Sequence, residues 1–170
     1  MGTYVCIKPS ITSIMEFKRF FKKIVPPFEP NFSDYHCTMM VSNDNCEYDV
    51  LMNAIGIISN VSGKIIKFEQ VGDGSVVGWL ESESIHALHR KINNHLSWDS
   101  EFDYNPHVTV FLSNNDMSDW CEQANEVLER VPSAAKLQVT VPSITGASGP
   151  GVGSGVGSGV GSGVGFTVPP

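Results

Sequence analysis

Hydrophobic positions recur along the chain with two different spacings, one typical of strands and one typical of helices. Residues 3–8 form a short apolar run, which predicts a strand. In residues 10–24 the apolar side chains return at every third or fourth position, which predicts an amphipathic helix capped by Ser10 or Thr12. The same spacings predict further strands at 36–41, 64–71, 76–81, 107–112 and 136–142, and further helices at 49–61, 84–96 and 118–131.

The predicted elements follow the order β-α-β-α-β-β-α-β-α-β over residues 3–142. Gly63 is expected to end the second helix, Ser82 or Ser84 to cap the third, and Ser118 to cap the fourth. The third and fourth strands are predicted to form a hairpin around a Gly-Asp-Gly turn. This order predicts an α+β fold with antiparallel strands at its core and helices on the outside.

The composition changes near Ser143, after which no charged residue occurs up to Pro170. Residues 151–165 repeat Gly-Val-Gly-Ser, and glycine at this density is costly to order. The sequence therefore predicts one domain over residues 1–145 and an appended low-complexity tail over residues 146–170. The alternative is that this tail is a self-associating, elastin-like segment.

The net charge and the cysteine content limit which ligands, metals and cell compartments are expected for this protein. The 170 residues carry a net charge of -7, which disfavours binding of long nucleic acid but leaves a small anionic ligand possible. The four cysteines lack metal-ligand spacing, so neither a structural metal nor a cofactor is predicted. We find no signal peptide and no membrane-spanning stretch, and with reduced thiols we expect a cytoplasmic protein.

The chemistry of the chain is concentrated in two His-x-Thr motifs, His36-Cys37-Thr38 and His107-Val108-Thr109. Both lie in predicted strands, where residues two apart share a face, so each motif presents an imidazole beside a hydroxyl. If the two strands lie close together, four polar groups converge on one cleft. A lone His-x-Thr is a weak signal, but two copies at matching places in the two halves of the chain favour a functional pair.

Such a set of groups suits the cleavage of a phosphodiester. One neutral histidine can accept a proton from the attacking hydroxyl, while the other, protonated, donates to the leaving oxygen. The threonine hydroxyls can donate to the non-bridging phosphate oxygens, and no metal is needed. The remaining histidines, His86, His89 and His95, are interpreted as solvent-exposed residues of a helix.

The chain resembles the 2H phosphoesterase superfamily through Tyr35-His36-Cys37-Thr38-Met39 and Pro106-His107-Val108-Thr109-Val110. The resemblance covers residues 3–142 and implies a bilobal, pseudo-twofold α+β domain whose antiparallel sheets form a central groove. It also implies that His36 and His107 are the acid–base pair and that Thr38 and Thr109 hold the phosphate.

Within that superfamily the chain looks most like the phage anti-CBASS phosphodiesterases, through Thr3-Tyr4-Val5 and the block Tyr-Asn-Pro-His-Val-Thr at 104–109. The resemblance implies cleavage of 3′-5′ bonds in cyclic di- or oligonucleotide messengers of bacterial immunity, such as 3′,3′-cyclic GMP-AMP. A ribose 2′-hydroxyl would be the nucleophile. Tyr4 and Trp79 are candidates for base stacking, and Lys8 is one for phosphate attraction. Trp98 and Trp120 are expected to be packing residues.

Three alternatives stay open at this point. The first is a 2H enzyme acting on RNA ends or 2′-5′ oligoadenylates, as a cyclic phosphodiesterase or a 2′-5′ RNA ligase. A non-catalytic protein that sequesters a nucleotide is a second alternative, although binding alone needs no pair of titratable groups. A structural protein assembled through its tail is the third.

Overall fold

The computed structural model describes residues 3–72, 74–131, 138–140 and 164–166. Within them the chain forms these elements in order: β1 (Thr3–Ile7), α1 (Ile11–Lys23), β2 (Cys37–Ser42), α2 (Tyr48–Ile55), β3 (Ser62–Gln70), β4 (Ser75–Glu81), α3 (Glu83–Asn93), β5 (His107–Leu112), α4 (Ser118–Arg130), β6 (Gln138–Thr140) and β7 (Val164–Phe166).

The strands form two sheets, and every pairing in both is antiparallel. One sheet has the order β2-β1-β7 and the other the order β5-β4-β3-β6. The strands that carry the two motifs, β2 and β5, each lie at one end of their sheet, and they contact one another. The predicted α+β class with antiparallel sheets is therefore confirmed.

Two helix caps agree with the sequence. The Ser10 hydroxyl accepts a hydrogen bond from the Ser13 N–H at 3.2 Å at the start of α1. The Ser82 hydroxyl accepts one from the Ile85 N–H at 2.9 Å at the start of α3. Each cap satisfies an N–H that the first turn of a helix leaves without a backbone partner.

The expected cap of α4 and the expected end of α2 are wrong. Ser118 is the first residue of α4 rather than its cap, and its N–H and hydroxyl both bond to the Asp116 carboxylate. The second helix ends at Gly56, whose φ of 76° only glycine adopts readily, so the chain leaves the helix seven residues before Gly63. Gly63 lies in β3 instead, where a Cβ would meet the Ser82 Cβ at 3.0 Å.

Aromatic rings from both halves of the chain pack against one another in the core. Phe20 of α1 stacks on Phe68 of β3 with ring centroids 5.3 Å apart, and Trp120 of α4 meets Phe68 edge-on at 5.7 Å. Burial of each such side chain stabilises the fold by about 1.5–3 kcal/mol. Trp120 is buried and donates its indole N–H to the Val25 carbonyl, which confirms the packing role expected for it.

Each motif strand contains a β-bulge directly after its motif. Met39 follows Thr38 and is skipped in the β1–β2 register, and Val110 follows Thr109 and is skipped in the β4–β5 register. A bulge bends its strand and increases the local twist, and bulges are frequent next to active sites. The two halves thus share a backbone irregularity as well as a sequence motif.

The C-terminal strand β7 pairs with β1, with Phe166 opposite Val5 and Val164 opposite Ile7. These three residues of the predicted tail therefore extend the first sheet. The domain boundary predicted near residue 145 lies outside the described residues, so the division into a domain and a tail stays a prediction.

Candidate active site

The motif residues occupy equivalent places on their two strands. His36 directly precedes β2 and His107 begins β5, and both side chains are partly exposed. The central residues of the motifs, Cys37 and Val108, are buried in the core. The predicted alternation of a polar face and a buried face is thus confirmed for both motifs.

Contacts between the two strands bring the motifs together. The Cys37 thiol lies 3.9 Å from the hydroxyl of Tyr104, three residues before His107, and burial raises the pKa of this thiol to about 12. The Tyr35 hydroxyl, whose pKa burial also raises, donates to the Val110 carbonyl at 2.9 Å. Since Tyr35 and Cys37 flank His36, these contacts hold the first motif against the strand of the second and the segment before it.

Both motif histidines are held in the same way. The Nδ1 of His36 lies 2.7 Å from the Asp34 carbonyl oxygen, and the Nδ1 of His107 lies 2.9 Å from that of Asn105. A carbonyl oxygen only accepts hydrogen bonds, so each Nδ1 carries a proton. No described residue hydrogen-bonds either Nε2, so this atom of each ring has no partner within the described part of the chain.

An aromatic ring lies against each of these histidines. Tyr4 meets His36 edge to face with ring centroids 6.1 Å apart, and Trp79 meets His107 in the same manner at 5.2 Å. Both candidates for base stacking therefore border the site. The Tyr4 hydroxyl also lies 2.7 Å from the Thr38 hydroxyl, and burial raises the Tyr4 pKa, so the phenol stays protonated at neutral pH.

The Trp79 indole is held by a network that the sequence reading missed. Its N–H donates to the Glu69 carboxylate at 2.8 Å, and the Lys67 amine donates to the other carboxylate oxygen at 2.8 Å. These hydrogen bonds lower the Glu69 pKa. Lys67 lies opposite Trp79, and Trp79 lies opposite His107, so the three share one face of the sheet. Counting outward from the centre of the predicted hairpin turn already pairs Lys67 with Trp79.

Lys8 lies next to the chain segment that leads into the first motif. Its amine is 3.5 Å from the Ser33 carbonyl oxygen, and the side chain is partly exposed. Its positive charge is therefore placed beside Ser33, three residues before His36.

The expectation that all three helix histidines are exposed is wrong for His89. Only 9% of His89 is exposed, whereas His86 is half-buried and His95 is exposed beyond the end of α3. Position 89 lies four residues after Ile85 and three before Ile92, on the apolar stripe of the helix. The sequence contains this signal, because the spacing alone places His89 on the buried face.

The part of the chain that the structure describes contains neither a candidate metal cluster nor a helix able to cross a membrane. No three His, Cys, Asp or Glu side chains there are grouped as they would be to hold a metal ion. Nor does any helix there have the length and apolar character needed to cross a membrane.

Residues 1–140 match the family described as "Anti-CBASS protein Acb1". The chain belongs to this family. Membership confirms the resemblance drawn from the two motifs and the expected class, a phosphodiesterase that counters CBASS immunity. The matched Acb1 region contains all four motif residues together with Tyr4, Trp79 and Lys8.

Solved structures with a similar fold include Escherichia coli LigT complexed with phosphate, at 14% identity and a TM-score of 0.48. That similarity covers 68% of this chain and 72% of LigT. A structure described as a phosphoesterase is 12% identical with a TM-score of 0.47, covering 65% of this chain and 72% of that one. No curated protein is similar enough to this Acb1-family chain to count as a match.

Proposed function

We propose that this Acb1-family chain cleaves a 3′-5′ phosphodiester bond in a cyclic di- or oligonucleotide, such as 3′,3′-cyclic GMP-AMP, without a metal. In a phage-infected cell the reaction would take place in the host cytoplasm. The observation that carries the proposal is the matched pair of histidines on two touching strands, each with Nδ1 bonded to a carbonyl.

The reaction divides between the two histidines. The neutral one accepts the proton of a ribose 2′-hydroxyl at Nε2 as that oxygen forms a bond to phosphorus. The protonated one donates from Nε2 to the 5′-oxygen as the bond between phosphorus and that oxygen breaks. The product is one linear nucleotide, which carries a 2′,3′-cyclic phosphate at one end and a free 5′-hydroxyl at the other. Each proton transfer contributes a rate enhancement of about 10²–10⁴-fold.

The carbonyl on Nδ1 supports this chemistry. A ring that gains a proton at Nε2 becomes positively charged, and its Nδ1–H bond to Asp34 or Asn105 strengthens as the charge develops. The same bond fixes the ring orientation. Both histidines are equipped for either role, so the substrate pose decides which is the base.

The threonines complete the site. Thr38 and Thr109 carry hydroxyls beside the histidines, positioned to donate to the non-bridging oxygens where charge accumulates in the transition state. If Tyr4 donates to the Thr38 oxygen, the proton of Thr38 is left for the phosphate. No described residue hydrogen-bonds the Thr109 hydroxyl, which leaves it available too.

The site also explains how an acidic protein binds an anion. The net charge of -7 repels phosphates at long range, so attraction has to come from local cations and from stacking. Lys8 supplies positive charge near the first motif, whereas the charge of Lys67 is offset by its ion pair with Glu69, and Tyr4 and Trp79 offer ring surfaces for bases. A base stacked on either ring lies next to a motif histidine, as cleavage of the adjoining phosphate requires.

The test is incubation of the purified chain, in EDTA, with 3′,3′-cyclic GMP-AMP and separately with 2′-5′ oligoadenylate, followed by chromatography. The double variant His36→Ala/His107→Ala is compared with His95→Ala, a matched control at an exposed histidine outside the site. Cleavage of the cyclic dinucleotide by wild type and by the control, but not by the double variant, supports the proposal.

Other outcomes identify the alternatives. Cleavage of the oligoadenylate alone identifies the chain as a 2H enzyme that acts on 2′-5′ linkages. Tight binding with an unchanged ligand identifies a sequestering protein, and inhibition by EDTA overturns the metal-independent mechanism.

A further inference from the structure

His89 is a buried histidine that the proposed reaction does not use, although it touches the first motif strand. Its Nδ1 lies 2.6 Å from the carbonyl oxygen of Met39. That carbonyl can only accept, so His89 donates through Nδ1–H. Met39 is the bulge residue that directly follows Thr38. The hydrogen bond from α3 therefore attaches to the backbone at the point where the motif strand bends.

His89 also contacts Tyr104, which lies shortly before the second motif in the chain. The His89 ring stacks on the Tyr104 ring with centroids 3.7 Å apart and planes within 4°. Tyr104 is followed by Asn105, whose carbonyl holds the Nδ1 of His107. Stacking on His89 thus fixes the backbone that orients the second histidine.

Tyr104 also reaches back to the first motif. Its hydroxyl donates to the Met39 sulfur at 3.3 Å and lies 3.9 Å from the Cys37 thiol. Trp98 closes the cluster, since its ring meets His89 edge-on at 5.3 Å and Tyr104 at 5.6 Å. Burial lowers the pKa of His89, so its ring stays neutral with the proton on Nδ1.

We infer that His89 is a positioning residue for the phosphodiester reaction, because it ties the bulge after Thr38 to the segment that presents His107. This inference rests on the proposed function. The hydrogen bond to Met39 sets the direction of the first motif strand, and the stack on Tyr104 sets the loop that orients His107. An apolar residue would fill the same space but would leave the Met39 carbonyl without its donor.

The two contacts can be separated by substitution. His89→Phe keeps the stacked ring and removes the donor, whereas His89→Asn keeps an N–H the same number of bonds from Cα and removes most of the ring. Leu88→Ala is the matched control, because it removes buried volume from the same helix. All variants are assayed with 3′,3′-cyclic GMP-AMP at a temperature where thermal melts show each to be folded.

We expect His89→Phe to lower kcat about tenfold with KM changed less than about threefold, since a misdirected acid–base pair slows chemistry more than binding. His89→Asn should restore kcat to within about threefold of wild type. The inference is overturned if His89→Phe and Leu88→Ala have the same kcat, or if His89→Asn is as slow as His89→Phe.

A second readout needs no substrate. Long-range ¹H–¹⁵N spectra report the tautomer and hydrogen bonding of the His36 and His107 rings, and both sets of Nδ1 signals should move in His89→Phe but not in Leu88→Ala. Unmoved signals overturn the inference. If wild type cleaves nothing, the proposed function fails, while these spectra still decide the positioning role.

Tyr104→Phe provides a further test should His89→Phe not fold. It keeps the stack and removes only the hydroxyl that reaches Met39. A fall in kcat of about threefold supports the link between the motifs, and an unchanged kcat overturns it.

Discussion

Replacing Glu69 by alanine removes the acceptor that holds the Trp79 indole at 2.8 Å. The freed ring samples other rotamers, so a substrate base must order it again on binding. A hydrogen bond to a charged group contributes about 1.5–3 kcal/mol when shielded. The Glu69 side chain is 43% exposed, so water competes for this hydrogen bond and its contribution falls to about 1 kcal/mol. This corresponds to a rise in KM of about fivefold.

The substitution also removes a negative charge from the side of the site, which acts in the opposite direction. At about 10 Å in water a single charge pair contributes about 0.4 kcal/mol, and salt reduces this further. Lys67 already neutralises part of the Glu69 charge. The charge effect on KM is therefore smaller than twofold, and loss of the hydrogen bond decides the sign.

Steady-state kinetics on 3′,3′-cyclic GMP-AMP separates the two effects. Glu69→Gln keeps an acceptor for the indole while removing the charge, so its KM should equal the wild-type value or fall slightly. Glu126→Ala, which breaks an exposed ion pair with Arg130 on α4, is the matched control. An unchanged KM in Glu69→Ala, or an equal rise in Glu69→Gln, would refute the idea that Glu69 acts by orienting Trp79.

Three further predictions concern the motifs, the buried histidine and the core. His36→Ala and His107→Ala should each lower kcat by about 10²–10⁴-fold with little change in melting temperature, because both side chains are partly exposed; chromatography and thermal melts together check this. Burial lowers the His89 pKa below its ordinary 6.5, so as the pH falls this histidine binds a proton in the unfolded chain before it does so in the folded chain. Stability should be complete above about pH 6.5 and decline as the pH falls from there to the folded pKa, a slope that melting curves of His89→Asn should lack. Phe68→Ala, at a fully buried ring, should lower the free energy of unfolding by about 3–5 kcal/mol, whereas Ile66→Ala on the same strand should cost much less; urea titration compares the two, and equal losses would contradict the packing described.

Patterns that depend on near neighbours could be predicted from the sequence alone. The alternation of His36 and Thr38 against Cys37 follows from the two-residue period of a strand, which holds wherever the strand lies. The Ser10 cap depends on an N–H three residues away in the same turn. The pairing of Lys67 with Trp79 follows from a count across one hairpin. Local geometry is sufficient for these features.

Contacts between residues distant in the chain were decided only by the tertiary structure. The bond from Tyr35 to Val110 joins residues 75 positions apart, and that from His89 to Met39 joins residues 50 apart. The bulges at Met39 and Val110 arise from the register between strands, which hydrophobic periodicity alone does not encode. The sequence by itself therefore determined which face the motif side chains occupy, and it carries the prediction of which groups do chemistry. The tertiary structure decided that the two motifs meet and how their rings are held, because packing against non-local partners sets those positions.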